Sequence, residues 1–169
     1  VLSRLERFLS SRQVHGLVVG PFRSEILLPA MDIIAKYKVP LLETIAMTPV
    51  MEAKVLTDPR YRFVFRTGLN TKYLADMLIN TMTFLNQRLG VTRVYIMNQD
   101  VAWARSTASL MIKLFFDRKG WQIVGSEHFA YGTTEFGPAL EKATSLGAQV
   151  IVPIFDMPQS GELVKQWNK

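Results

Sequence analysis

The chain has 169 residues, 49% of them apolar, with a net charge of +6 and no cysteine. Such a length bounds one sizeable core or two small ones, and the apolar share excludes a disordered chain. The missing cysteine excludes disulfides and thiolate metal sites without fixing a compartment, and the Lys and Arg residues are dispersed rather than gathered into a basic run with interleaved aromatics, so no nucleic-acid partner is expected.

Taken in order, the first eleven residues place Leu2, Leu5, Phe8 and Leu9 at helical spacing between charges, as in an amphipathic helix. They lack the continuous apolar core of a signal peptide, so any export signal is expected to lie outside this sequence. A doubly wound domain normally opens on a strand, so a chain that opens on a helix is expected to be part of something longer. Residues 16–49 then organise the rest. A short apolar run (Leu17, Val18, Val19) stops at Gly20 and Pro21, a helix-period segment follows, and a second apolar run over residues 39–42 opens a Thr/Ala/Met/Pro loop. The pattern predicts a parallel strand pair with a right-handed crossover, whose ligand side is the carboxyl end, where loops 21–24 and 44–48 would form one wall of a cleft. The helix between them carries Ile26, Leu27, Ala30, Ile33, Ile34 and Tyr37 as its packing stripe, and Pro29 is expected to start or bend it.

Residues 51–62 read as a passage between two packed units, with the boundary near Gly68. Residues 60–67 alternate like a half-exposed strand, and Asn70 is placed to cap a long helix with a stripe of Leu74, Met77, Leu78, Thr81, Met82 and Leu85, stopped by Gly90. A strand over 91–97, a loop over 98–103, a helix over 104–119 and a strand over 121–124 follow. Thr133 or Thr134 would cap a helix to Leu146, residues 150–155 form a buried strand, and Pro158 suits the first turn of a last helix reaching Trp167. This alternation predicts an α/β fold of doubly wound parallel sheets with helices on both faces. No run approaches the roughly 18 apolar residues of a membrane span, so no direct membrane insertion is expected.

The segments GLVVGPFRSEILLPAMDIIAKYKVPLL, IAMTP, FVFRTGLN, RVYIMNQDVAWARS and YGTTEFGPALEKATSLGAQVIV, in this order and over nearly the whole chain, resemble the periplasmic binding proteins of the Leu/Ile/Val-binding type. These are the type I solute-binding proteins of ABC transporters, with relatives among sensory receptor domains. The resemblance implies two Rossmann-like lobes closing on a small solute about a hinge near residues 66–70. Residues 1–68 would then belong to the first lobe and 69–169 to the second, both incomplete. It further implies a membrane permease as partner, a periplasmic or extracytoplasmic location and no cofactor. The alternative is a ligand-binding sensory domain of the same fold in a receptor or kinase.

By the same resemblance, Ser24 matches a serine that binds the ligand carboxylate, at a helix N-terminus that suits an anion, although such a serine also caps its own helix. Ile45, Ala46, Met47 and Thr48 match a ligand-holding loop. Met47 stands where the family has Thr unless Thr48 replaces it, and a methionine there also reads as packing. Trp103 matches an aromatic cover on the second lobe or is simply core, while Asp100 beside it reads as a turn residue. Phe155 and Asp156 match the next ligand-facing loop, with Asp156 alternatively capping the following helix. The acid that grips an ammonium group in amino-acid binders would lie past Lys169. As for enzymes, His15 and His128 stand far apart without a Ser, Cys or carboxylate at a recognisable spacing. The phosphate-cradling glycine motifs are absent and no metal-ligand cluster appears, so no catalytic residue, nucleotide or metal is expected.

Overall fold

A computed structural model of the protein describes residues 1–167. Within them lie seven α-helices and six strands, all strand pairs parallel. The chain divides into two compact units, Val1–Tyr73 and a second beginning at Leu74.

Unit 1 contains α1 (Leu2–Ser11), β1 (Leu17–Val19), α2 (Ser24–Tyr37), β2 (Leu41–Glu43), α3 (Val50–Thr57) and β3 (Val64–Arg66). The strands pair in the order β1-β2-β3, with Leu17, Leu41 and Val64 in one register row and Val18, Leu42 and Phe65 in the next. Because side chains alternate along a strand, the two rows face opposite sides. The first row packs with Leu27, Ala30, Met31 and Ile34 of α2, Met51 of α3 and Tyr61, and Leu2 and Leu5 of α1 close over the cluster. The second row is exposed, Val18 at 70% and Phe65 at 50%, so among the described residues the helices of this unit cover one face of the sheet rather than both. Pro29 sits inside α2 and does not start it.

Residues 51–62 are not a passage. They form α3 and a 3₁₀ turn, Pro59–Tyr61, and Met51 and Tyr61 enter the core of unit 1. The Tyr61 hydroxyl donates to Asp32 at 2.5 Å, which ties the turn to α2. The half-exposed strand expected over 60–67 shrinks to Val64–Arg66 for that reason: the 3₁₀ turn claims its first residues.

The helix α4 (Thr71–Leu89) begins as expected. Asn70 Oδ1 accepts the N–H groups of Lys72 and Tyr73, and Gly90, at φ 68°, ends it. Its packing face is rotated from the predicted one: Ala75, Leu78, Ile79, Met82 and Leu85 meet the core, while Met77 is 57% exposed and Thr81 is exposed.

The rest of unit 2 comprises β4 (Arg93–Gln99), α5 (Ala102–Leu114), β5 (Gln122–Phe129), α6 (Gly137–Ser145), β6 (Val150–Ile154) and α7 (Met157–Trp167), with β4 central in the order β5-β4-β6. Here both faces are covered, and the alternation of β4 sorts the cores. Val94 and Ile96 join Met82, Ala104, Met111, Phe116 and Trp121 on one side. Tyr95 and Met97 join Phe136, Ala139, Phe155 and Leu163 on the other. Helix α6 starts three residues later than a cap at Thr133 would allow and two later than a cap at Thr134 would. Phe136 is fully buried with its N–H donated to Gln166 Oε1 at 2.7 Å, and Pro138 occupies the first turn.

Phe136→Ala is expected to cost about 3–5 kcal/mol, read as a fall in the urea midpoint, whereas the exposed Phe84→Ala should stay within about 0.5 kcal/mol. Equal losses would contradict this placement of the core.

Candidate functional site

At the carboxyl end of the unit 1 sheet, backbone meets backbone with little room for side chains. Val19 closes β1 at φ 84°, a left-handed conformation that costs a β-branched residue about 1–3 kcal/mol. Its carbonyl is held there by the N–H and hydroxyl of Thr44, both at 3.1 Å. Gly20 follows at φ 72°, and a Cβ on it would collide with the Glu43 carboxylate; one on Gly68 would collide with the carbonyl of Thr44. Any residue but glycine at 68 would push these loops apart, and one at 20 would be strained by its φ and would displace the Glu43 carboxylate.

Two acids and one arginine organise this edge. Glu43, the last residue of β2, is fully buried. Its Oε1 accepts the N–H groups of Ile45 and Ala46 at 2.8 and 2.9 Å, and its Oε2 has no partner among the described residues. Burial pushes its carboxyl above the ordinary value, against the pull of those N–H groups and of Arg66. Arg66, the last residue of β3, has a side chain only 9% exposed. Its Nε donates to Glu52 Oε1 at 2.5 Å, one terminal nitrogen to the carbonyls of Ala46 (2.6 Å) and Leu69 (3.1 Å), and the other to the Thr48 carbonyl (2.9 Å) and Glu52 Oε2 (3.2 Å). Glu52 also accepts from Asn70 Nδ2 at 2.9 Å. Burial alone would raise the Glu52 carboxyl, but the bonds from Arg66 and Asn70 outweigh it and hold it below the ordinary value.

Among the residues singled out by sequence, Ser24 opens α2 and is 1% exposed, its hydroxyl without a partner among the described residues. The N-cap position of α2 is Arg23, and Ser24 makes no capping bond. Ala46 and Thr48 are buried, while Ile45 and Met47 are half-buried. The Thr48 hydroxyl accepts the N–H of Val50 at 3.2 Å at the start of α3. Ser24 and residues 45–48 therefore follow neighbouring parallel strands and share one edge of unit 1.

In unit 2 the carboxyl edge is built from amides. Asn98 and Gln99 end β4 fully buried; Asn98 Nδ2 donates to the Gln99 carbonyl at 2.9 Å, and Gln99 donates to Gln159 of α7. Gln159 donates in turn to the carbonyls of Ala130 (3.2 Å) and Thr133 (3.0 Å), anchoring the loop after β5. Trp103 lies in the first turn of α5 rather than in a loop, half-buried against the core on the α4 and α5 side. Phe155 is 8% exposed on the opposite side, with its ring centroid 5.7 Å from Phe129 and 5.3 Å from Phe136. Asp156 is half-buried just before α7. The two aromatics thus follow adjacent strands but enter different cores. Asp100 is exposed and ion-paired with Arg105, which holds its carboxyl low. His15 is exposed in unit 1. His128 lies within β5, its Nδ1 2.8 Å from Asn98 Oδ1. Among the described residues no cluster of three or more His, Asp or Glu could hold a metal ion.

Sequence reasoning passed over Glu43, Glu52, Arg66, Gln99 and Gln159. Glu43, Arg66 and Gln99 are marked by a charged or amide residue closing an apolar strand, as in LLE, VFR and YIMNQ, whereas Glu52 and Gln159 lie in helices and carry no such mark.

Comparison with known proteins adds the following. The family described as "Periplasmic binding protein" matches over residues 1–169. No curated protein matches the chain. Among solved structures, a Rhodopseudomonas palustris ABC transporter solute binding protein in complex with 4-hydroxybenzoate is 18% identical, with a TM-score of 0.82 over 99% of this chain and 42% of its own. The Streptococcus pneumoniae branched-chain amino acid transporter substrate binding protein LivJ, in complex with isoleucine, is 20% identical, with a TM-score of 0.78 over 99% of this chain and 44% of its own. A Desulfitobacterium hafniense ABC transporter substrate-binding protein in complex with Leu is 21% identical, with a TM-score of 0.70 over 99% of this chain and 47% of its own. These likenesses establish the fold, and the chain spans less than half the length of each of those structures.

Buried Glu43 and half-buried Glu52 predict opposite pH slopes. Glu52, held low, stabilises the fold fully above the unfolded carboxyl value of about 4.3 and loses that contribution as pH falls through its lower folded value. Glu43, held high, contributes fully below about 4.3 and loses its contribution as pH rises through its higher folded value. In urea unfolding between about pH 3 and pH 8, Glu52→Gln should cost about 1–3 kcal/mol at neutral pH and progressively less in acid. Relative to the parent, Glu43→Gln should instead improve as pH rises. Slopes of the same sign for both variants would contradict these environments.

Proposed function

The chain belongs to the periplasmic binding protein family, and from that premise we propose that it is part of an extracytoplasmic solute-binding protein of an ABC transporter. It would capture a small solute between two lobes, residues 1–68 contributing to one and 69–169 to the other, and deliver it by hinge closure to a membrane permease. Closure would be a ligand-biased shift between open and closed populations. The observation that carries this reading is the family match over the full 169 residues.

The proposed solute bears a carboxylate on an apolar body, as a branched-chain amino acid or an aromatic acid does. A buried hydroxyl without a partner costs about 1–3 kcal/mol, and Ser24 has such a hydroxyl at the N-terminus of a 14-residue helix, whose unpaired N–H groups favour an anion. A solute carboxylate would satisfy both. Ile45 and Met47, half-buried and apolar, suit the solute body better than the hydroxyl that Met47 replaces, with Ala46 and Thr48 contributing backbone groups. From the second lobe, Trp103 would supply apolar area and one N–H donor, with Asp156 contributing from the loop after β6 and Phe155 backing it from within its aromatic cluster. Delivery is preferred to sensing because the similar solved structures are transporter proteins.

A thermal-shift screen of the full-length protein against isoleucine, leucine, 4-hydroxybenzoate and their amides tests the proposal. A solute at a hundred times its dissociation constant should add about 2.7 kcal/mol, and no shift with any of them would overturn this choice of solute class. Trp103→Ala should weaken the bound solute by about tenfold or more, 1.4 kcal/mol. Ser24→Ala should weaken acids more than their amides; equal losses would remove Ser24 from the carboxylate site.

A further inference from the structure

The segment 45–48 is held by an unusual division of labour. The N–H groups of Ile45 and Ala46 both go to Glu43 Oε1. The three carbonyls that follow turn inward: Ala46 and Thr48 accept from the two terminal nitrogens of Arg66, and Met47 accepts the N–H of Thr71 at 2.9 Å. The chain has no cis peptide bonds, and in a trans peptide the N–H lies opposite the carbonyl of the preceding residue. Turning the Ala46 carbonyl toward Arg66 therefore points the Met47 N–H away from it. Turning the Met47 carbonyl toward Thr71 does the same for the N–H of Thr48. The N–H groups of Met47 and Thr48 are thereby turned from Arg66 and Thr71, and successive backbone N–H groups left free in a loop are donors that can bind an anion.

We propose that Arg66 is a positioning residue for the solute: by gripping the carbonyls of Ala46 and Thr48 on either side of Met47, it presents the peptide N–H groups of Met47 and Thr48 to the solute carboxylate. This rests on the solute-binding reading above and assigns Arg66 a role in it without contact with the solute. The arginine is specifically required. Its five N–H groups are all engaged, one on Glu52 Oε1, two on the carbonyls of Ala46 and Leu69, and two on the Thr48 carbonyl and Glu52 Oε2. A lysine ammonium offers three donors from a single nitrogen and cannot span carbonyls that require a planar fork. Glu52 holds the fork in orientation, and its second anchor, Asn70, also caps α4. The same clamp therefore keeps the donor pair in register with the start of that helix.

The test uses the full-length protein and two variants, Arg66→Lys and the milder Glu52→Gln, which leaves the guanidinium in place without its counter-charge. Isoleucine and 4-hydroxybenzoate are compared with isoleucinamide and 4-hydroxybenzamide. Arg66→Lys should weaken the acids by about tenfold or more and the amides by no more than about threefold, and Glu52→Gln should give a smaller loss of the same acid-selective kind. Equal losses for acids and amides, or no loss, would overturn the proposal. Hydrogen exchange supplies a readout that needs no solute: in Arg66→Lys the amides of Ile45 and Ala46, bonded to Glu43, and of Thr71, bonded to the Met47 carbonyl, should exchange about tenfold faster while those of Leu41 and Leu42 in β2 keep their protection. A uniform rise across unit 1 would make Arg66 a general brace of the fold and overturn the positioning role. If the unaltered protein binds none of the four probes, the choice of solute fails, and the exchange pattern still decides what Arg66 does.

Discussion

A guanidinium sealed from water must find acceptors for all of its N–H groups, and at the carboxyl edge of unit 1 that requirement falls on Arg66. The strands there are three residues long, too short for their ladders alone to fix the loops beyond them. What fixes the loops is the charge that closes β3. It draws in two carbonyls from the loop after β2, one from its own loop and a carboxylate from α3. Removing one partner from such a group leaves the other charge uncompensated, which is far worse than never having buried the pair. The network is therefore all or none, and the loop geometry inherits that rigidity.

Glu43 and Glu52 stand at the same edge and are shifted in opposite directions, because they differ both in depth and in neighbours. Glu52 faces the guanidinium and an amide donor, so its charge is welcome. Glu43 is sealed beneath Gly20 with one oxygen on two N–H groups and the other on none, so desolvation dominates. Unit 2 solves the corresponding problem without charge. Asn98, Gln99 and Gln159 chain their amides from β4 to α7 and on to the loop after β5. A neutral network of this kind avoids the larger desolvation cost of a buried charge.

The alternation of strand and helix was legible in the sequence because it rests on local rules: glycine stops at Gly90, an asparagine cap at Asn70, an apolar run at residues 150–154. The errors all involve tertiary override. Residues 51–62 looked like a connector because Asp58 and Pro59 break the pattern, yet Met51 and Tyr61 bury enough apolar surface to hold a helix and a turn in the core. The stripe of α4 is rotated by about one residue because the core selects Ala75 and Ile79 and leaves Met77 and Thr81 exposed. Thr133 and Thr134 offered a good cap, but seating Phe136 in an aromatic cluster with Phe129 and Phe155 delayed α6. For the site, Ser24 and residues 45–48 could be placed on one edge from the crossover rule alone. Arg66 and Glu43 could not, because their importance depends on register: only when β2 and β3 pair do they become neighbours, Glu43 opposite Arg66.

Rigidity at this edge bears directly on what the family's fold is for. Association spends free energy on ordering loops, and a loop whose carbonyls are already committed spends less of it. Val19 points the same way. A β-branched residue in a left-handed conformation persists only where its surroundings over-determine it, and here the N–H and hydroxyl of Thr44 both hold its carbonyl while Gly20 and Glu43 close the turn beyond. Strain at β1, a sealed acid at β2 and a saturated guanidinium at β3 are three different costs borne at the ends of three adjacent strands. The core of this unit needs none of them, since Leu27, Met31, Ile34 and Leu41 pack without their help. Costs concentrated at one edge and absent from the core mark that edge as the place where geometry, rather than stability, was selected.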